Sequence, residues 1–294
     1  VDEAGFNAAK EEHSKASGGG KAMGKLGGED SEYFATIFKE LQSKKKLSVN
    51  GVEYDPYNRA KVEGEGLAFV VNGEPADSAS LDDQVEVIQP KTGFYIESGG
   101  QVNDEGYIRH LPQNSENLGG GREGGWEIEI TSARRAAAGI ISHIGQVISV
   151  QPKVGDKAVA EVELVRRHDI MRNHTATHLL HKALHEVLGE HARQAGSLVA
   201  PTHLRFDFTQ PDGMTPEQIE RVEKMVNEAI AADMPVVKVT KSQEDAKKEG
   251  AMALFGEKYG EIVRTVSILD SDSLLSVGSS SSSIASPLGT RAVG

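Results

Sequence analysis

The 294-residue sequence contains no cysteine, one tryptophan and only 5% aromatic residues. Without cysteine, this sequence cannot form a disulfide scaffold, use a catalytic thiol or bind a metal through thiolate. No apolar run approaches the roughly 20 residues that a membrane-spanning helix needs. No signal peptide is recognisable at the start. We therefore expect no membrane span and a cytoplasmic location.

Positive charge is also in short supply, because 32 Lys and Arg residues stand against 44 Asp and Glu residues, a formal net charge of −12. Such a balance argues against broad, nonspecific binding to nucleic acid. It leaves room for a partner held locally by a few Arg or Lys residues. The length is sufficient to bury a sizeable core, and the 32 glycines indicate many turns.

The stretch from Arg172 to Gly189 is the most informative part of the chain. It predicts a helix that has His174 near its start and Gly189 as its stop. Its apolar residues recur at helical spacing and form one stripe: Leu180, Leu184, Val187 and Leu188. Four histidines form a second stripe beside it: His174, His178, His181 and His185.

His174 and His178, at i and i+4, can place two imidazoles on one metal ion. Spacing alone leaves a plainer alternative open, in which the histidines simply border a buried face. The position of the general base in a zinc peptidase is taken here by Thr175, so a peptidase is disfavoured.

The rest of the chain falls into three predicted parts. Residues 1–48 are predicted to be a helical lead-in, and residues 49–165 have the short alternating runs of a small β-barrel. One of these runs, Phe94–Val102, is predicted to be a strand that enters the double glycine Gly99-Gly100. From residue 166 to 294, helical patterns alternate with strand patterns, which favours a two-layer α/β core. The predicted fold class is therefore α+β.

Several segments of the chain resemble the alanyl-tRNA synthetase family. The segments similar to its editing domain are Asn173–His178, Gln194–Ser197, Leu204–Phe208 and Ala251–Tyr259. Phe94–Val102 resembles the family's glycine motif, and Val1–Phe6 resembles the segment that closes its aminoacylation half. The match runs through roughly residues 1–270 in family order. We therefore expect a synthetase fragment that lacks the half which would bind ATP and alanine.

The resemblance implies a hydrolase that removes serine or glycine wrongly attached to tRNA(Ala), with the misacylated acceptor end as its partner. A pocket built for alanine cannot strongly exclude the smaller glycine, nor reject serine merely for its added hydroxyl, so a second site must clear the errors. Two alternatives stay open: a catalytically silent module that binds the tRNA acceptor end, and a purely structural fragment.

The resemblance also implies a set of site residues. His174 and His178 match two zinc ligands, and the positions of the other two ligands fall on Ser276 and Ser280. A neutral hydroxyl is a far poorer zinc ligand than thiolate or imidazole. Either the true residues at these two positions differ, or the metal is weakly held or absent. We expect position 276 to approach the histidine pair, as the family's third ligand does.

Five further residues are assigned by the same resemblance. Thr177 and Gln194 match positions that line the amino-acid pocket, where they would act in catalysis. Gly99, Gly100 and Gln101 match the glycine motif that faces the editing cleft and would bind substrate.

Overall fold

The computed structural model describes residues 29–110, 125–249, 251, 260–268 and 290–293, with backbone alone for 29–31 and 290–293. The described residues divide into two compact units. The first, here called the sheet unit, runs to Ile96 and resumes at Asn103–Glu163. The second, the histidine unit, consists of Glu97–Val102 and the residues from Leu164 onward. The boundaries predicted at 48/49 and 165/166 stay predictions.

The sheet unit contains one described helix and ten strands. In chain order they are α1 (Glu29–Ser43), β1 (Glu53–Tyr54), β2 (Lys61–Glu65), β3 (Ala68–Val71), β4 (Glu74–Ala76), β5 (Gln84–Ile88), β6 (Lys91–Thr92), β7 (Gly106–His110), β8 (Glu127–Ala137), β9 (Ile140–Ser149) and β10 (Lys157–Val162). Eight of the strands form an antiparallel sheet in the order β2-β10-β7-β8-β9-β5-β3-β4, while β1 and β6 form a separate parallel pair.

The large antiparallel sheet and the described helices confirm a fold that mixes helices and strands, as the predicted α+β class requires. The predicted barrel is not found among the described residues. No ladder joins the outer strands β2 and β4. Strand β4 has only three residues, and one of them is Pro75. Proline has no N–H to donate to a further strand, so it is confined to sheet edges. In the described part of the chain the sheet is therefore open.

The turn between β3 and β4 follows the sequence signal. Asn72 and Gly73 have φ angles of 51° and 89°, the two positive values that a tight type I′ hairpin turn requires. The sequence also predicts that Val85–Ile88 pairs with the strand before this turn, and this is confirmed, because β5 runs antiparallel to β3 with Phe69 opposite Val87.

The core of the sheet unit lies on both faces of the long strands. Alternate residues of β8 point into it, and Ile128 and Ile130 are fully buried. Helix α1 contributes Phe34, Ile37 and Leu41 to a second buried cluster of this unit. This is the buried face that helical spacing predicts.

The histidine unit alternates helices and strands, as predicted. In chain order they are α2 (Leu164–Leu188), β11 (Gln194–Val199), β12 (Leu204–Phe208), α3 (Pro216–Ala231), β13 (Val236–Ser242), α4 (Gln243–Lys248), β14 (Ile262–Ile268) and β15 (Thr290–Val293). β11 pairs with β12, and β13, β14 and β15 form a second antiparallel sheet. None of the described helices is long and apolar enough to cross a membrane.

Helix α2 begins earlier than the histidine motif suggests. We predicted His174 near the start of a helix, which is wrong, because α2 starts at Leu164. The sequence from Leu164 to Leu188 contains no glycine or proline, so no helix-breaking residue separates the histidine motif from Leu164. His174 therefore lies about three turns inside the helix. The predicted stop is confirmed, since Gly189 has φ 105° and its N–H donates to the carbonyl of His185.

Helix α3 packs on α2 through a narrow apolar contact. Ala183, Leu184 and Val222 are its buried centre. Thr215-Pro216-Glu217-Gln218 predicts a capping box, and it is present, with Thr215 and Gln218 bonded reciprocally and Pro216 in the first turn. Helical spacing predicts a buried face on α3 that is wider than the observed one. Its predicted members are Ile219, Val222, Val226, Ala229 and Ile230, and among the described residues of α3 only Val222 is buried. Ile219 and Ile230 are 45% and 54% exposed.

Candidate active site

The centre of the histidine unit is the pair His174 and His178 on consecutive turns of α2. Their ring centroids are 5.1 Å apart and their planes are inclined by 32°. Both side chains are half-buried. The helix fixes both Cα–Cβ bonds on one face, so the two imidazoles project together.

Gln101 approaches this pair from the glycine motif. Its side-chain oxygen Oε1 lies 2.5 Å from Nδ1 of His174. The strand predicted over Phe94–Val102 is wrong. Strand β6 ends before this segment, at Thr92, and the chain then runs irregularly into a tight turn. Ser98 and Gln101 close this turn through two backbone hydrogen bonds of 3.0 and 3.3 Å.

The two glycines of the turn are required by its geometry. Gly99 and Gly100 have φ angles of 59° and 82°, values that L-residues rarely adopt. A Cβ on Gly100 would lie 2.5 Å from the carbonyl oxygen of Ser197. The carbonyl of Gly100 accepts from the N–H of Val199 at 2.7 Å, so the turn is docked on β11. The close backbone approach that a double glycine permits is therefore made to a strand of the same unit.

Asn173 anchors the motif from the other side. Its side-chain amide donates to the carbonyl oxygens of Ala200 and Pro201, at 2.7 and 3.1 Å. These carbonyls lie in the loop that follows β11. Helix α2 and strand β11 are thus joined by a polar contact one residue before His174.

Thr177 and Gln194, the two residues matched to the amino-acid pocket, differ in their burial and in their contacts. Thr177 is 5% exposed, and its hydroxyl donates to the carbonyl of Asn173 at 2.8 Å. Gln194 is half-buried at the first position of β11, opposite Phe208. Five residues of extended strand, about 17 Å, separate it from Val199, which pairs with Gln101. Their assignment to an amino-acid pocket stays a prediction.

Of the other two histidines of the stripe, His181 belongs to the interior and His185 is half-buried. His181 is 7% exposed, and its ring lies 4.5 Å from that of His185 and 5.0 Å from that of Phe206, between centroids. It packs against β12 as a core side chain. The alternative that the sequence left open, histidines bordering a buried face, therefore holds for this half of the stripe.

The described residues do not complete a set of metal ligands around the histidine pair. No group of three or more His, Cys, Asp or Glu side chains able to hold a metal ion is found among them. Positions Ser276 and Ser280, and most of the Ala251–Tyr259 motif, lie outside the described residues.

Comparison with known proteins places the chain in a family. The sequence model of tRNA synthetases class II (A) matches residues 1–166. The chain belongs to this family. Its match covers more than half of the chain and ends at the beginning of helix α2.

Curated relatives extend the similarity through the histidine unit. Alanine–tRNA ligase of Thermus thermophilus is 42% identical over 271 residues, which are 91% of this chain and 28% of that protein. The alanine–tRNA ligase of Chloroflexus aurantiacus is 41% identical over 268 residues, 91% of this chain and 27% of that protein. That of Roseiflexus sp. is 47% identical over 211 residues, 71% of this chain and 22% of that protein. The chain thus spans little more than a quarter of the first two relatives.

The contact between Gln101 and His174 is the part of the site that the sequence alone missed. The double glycine predicts a close approach of the backbone, but it does not predict that the approach is made to β11. Seventy-three residues separate Gln101 from His174, and no local pattern links them.

Proposed function

We propose that this synthetase chain carries an editing site that hydrolyses the ester between serine or glycine and tRNA(Ala). Its family and its similarity to alanine–tRNA ligases support this substrate class. The observation that carries the proposal is the pair His174 and His178, projecting together on α2 with Gln101 held against the first ring.

In this reaction water attacks the ester carbonyl, and the correct alanyl ester must remain unhydrolysed. Imidazole groups are suited to taking up and returning a proton near neutral pH. We assign Thr177 and Gln194 to the amino-acid pocket, because a hydroxyl and an amide can hydrogen-bond the seryl hydroxyl. An alanyl ester lacks that hydroxyl and would be held less well. Gly99 is exposed and offers backbone that a ligand can approach closely, whereas the carbonyl of Gly100 is bonded to β11.

Zinc is the cofactor that the family resemblance suggests for this site. A protein zinc site needs at least three protein ligands, and His174 and His178 supply two. The hydrogen bond that Gln101 Oε1 accepts from His174 is the kind of support that metal-bound histidines usually receive. When bound, zinc would orient the substrate amine or the attacking water. The described residues form half of such a site.

A deacylation assay tests the proposal. The purified chain is mixed with seryl-tRNA(Ala) or glycyl-tRNA(Ala), with alanyl-tRNA(Ala) as the control substrate. We expect faster release of serine and glycine than of alanine. His178→Ala should reduce the rate by about 100-fold or more, the usual scale for a positioned acid, base or ligand. The matched control is His191→Ala, an exposed histidine bonded to Gln210, and it should leave the rate unchanged.

The other outcomes identify the alternatives. Binding of tRNA without hydrolysis would indicate an acceptor-end binding module, and neither binding nor hydrolysis would indicate a structural fragment. Elemental analysis before and after dialysis against a chelator decides the metal. Stoichiometric zinc that is lost together with activity supports a Cys or His at position 276 or 280. No bound zinc, with Ser276 and Ser280 confirmed by peptide mass, establishes a metal-free site.

A further inference from the structure

The contact between Gln101 and His174 has a chemical direction. The side-chain oxygen of a glutamine can only accept a hydrogen bond, so Nδ1 of His174 has to donate. A neutral imidazole carries one proton. With that proton on Nδ1, the lone pair of His174 is on Nε2.

The position of Gln101 is fixed by backbone contacts rather than by its own side chain. Its N–H and C=O both bond to Ser98 across the glycine turn, and its backbone bridges to Val199 of β11. The helix that carries His174 is anchored to the same region by Asn173, which bonds to the carbonyls that follow β11. Gln101 is therefore tied to β11 and the helix of His174 to the loop that follows it, and these contacts set where the amide oxygen meets the ring.

We propose that Gln101 is a positioning residue that selects the Nδ1–H tautomer of His174 and fixes the orientation of its ring. This gives Gln101 a different part from direct substrate contact. The selected tautomer presents Nε2 as an acceptor, which is the state in which an imidazole binds a metal ion or takes a proton from water. The consequence for catalysis rests on the proposed deacylation, whereas the tautomer does not.

A second glutamine–histidine pair in the same unit provides an internal reference. Oε1 of Gln210 lies 2.7 Å from Nε2 of His191, an exposed histidine. By the same reasoning, His191 carries its proton on Nε2. The chain thus contains two histidines of opposite expected tautomer, each set by a glutamine oxygen.

Long-range ¹H–¹⁵N correlation spectra of the intact chain at about pH 8, where imidazoles are neutral, test the proposal. They distinguish the protonated from the unprotonated ring nitrogen. We expect Nδ1–H for His174 and Nε2–H for His191. Gln101→Leu should give His174 a mixture of tautomers and leave His191 unchanged. Gln101→Glu keeps the acceptor oxygen and should restore Nδ1–H. The matched control, Gln210→Leu, should alter His191 alone.

Activity gives a separate readout. Gln101→Leu should lower the deacylation rate constant by about 10- to 100-fold, the usual effect of losing such a support, with Gln101→Glu recovering most of it. His174 with Nε2–H in the unsubstituted chain, or with unchanged Nδ1–H in Gln101→Leu, overturns the proposal. If the unsubstituted chain releases no serine or glycine, the proposed function fails, while the spectra still decide the role of Gln101.

Discussion

The two units use histidine in opposite ways. His143 of the sheet unit is fully buried, with Nδ1 at 3.1 Å from the carbonyl of Val87 and Nε2 at 2.7 Å from the hydroxyl of Thr92. His174 of the histidine unit has the same kind of Nδ1 contact, to an amide oxygen, but its side chain is only half-buried. One ring is sealed on both nitrogens by the fold. The ring of His174 is held by Gln101 at Nδ1 and is only half-buried.

The packing around these rings differs in the same direction. His143 lies edge-on to Phe94, which is fully buried. Between α2 and α3 the cluster of described residues has three buried apolar side chains, and the cap of α3 and the bonds from Asn173 to carbonyls add polar contacts to this unit. Rigid placement without deep burial suits a group that has to meet a substrate. The sealed histidine of the sheet unit has a structural part.

The largest expected effect of this difference is on the free energy of unfolding at acid pH. Burial lowers the pKa of His143 to about 4, and the hydrogen bond to Val87, which acts the other way, only partly offsets it. In the unfolded chain the pKa returns to about 6.5, so the unfolded state binds the proton first as the pH falls. Between about pH 6.5 and pH 4 this one group should remove about 3 kcal/mol from the free energy of unfolding.

Urea unfolding at a series of pH values measures the effect as a difference between the chain and His143→Gln. Glutamine can bond to both Val87 and Thr92 but does not titrate in this range. The loss of stability on acidification should therefore be smaller in His143→Gln by that amount. His191→Gln, at an exposed site, is the matched control and should change nothing. Equal acid sensitivity of the chain and His143→Gln would mean that His143 is not sealed.

Glycine substitutions compare the two units at a matched backbone conformation. Gly155 in the sheet unit and Gly100 in the histidine unit have φ angles of 90° and 82°. An added Cβ on Gly155 meets nothing within 4 Å, whereas on Gly100 it lies 2.5 Å from the carbonyl oxygen of Ser197. Gly155→Ala should therefore lose only the conformational term, about 1 kcal/mol. Gly100→Ala should lose about 2 kcal/mol, because the turn also has to move off β11.

Thermal or urea unfolding of the two variants gives the free energies, and the His174 ring spectrum reports the local change. Only Gly100→Ala should disturb that spectrum. Equal losses in stability, with His174 unchanged in both, would show that the turn is not docked tightly on β11.

The sequence predicts what depends on local pattern. The helical period gave the buried face of α1 and the apolar stripe of α2, and Asn72-Gly73 gave the hairpin turn. The capping residues gave the start of α3. Each of these features is decided by residues within a few positions of one another, where side-chain chemistry and backbone preference act directly.

The features that the sequence does not predict depend on contacts between residues that are far apart in the chain. Whether the sheet closes is decided by which strands form its edges, and the three-residue strand with Pro75 becomes visible as an edge only in the ladder order. The partner of Gln101 lies 73 residues away. His181 and His178 are indistinguishable by spacing, and only the position of Phe206 shows that His181 belongs to the core.

The smallest expected effect concerns the local contacts that hold the histidine unit. Thr215 caps α3, where its hydroxyl accepts from the N–H of Gln218 and the Gln218 side chain bonds back to the N–H of Thr215. Val222 is the buried residue of that helix, so packing offers little to replace the cap. Thr215→Ala should lower the free energy of unfolding by about 1 kcal/mol, and Thr215→Ser, which keeps the acceptor oxygen, by only a few tenths. Urea unfolding of both variants measures the two losses. A loss from Thr215→Ala as large as that from Gly100→Ala would show that α3 and the docked glycine turn contribute equally to this unit. No loss at all would show that the packing of α3 on α2 is sufficient without the cap.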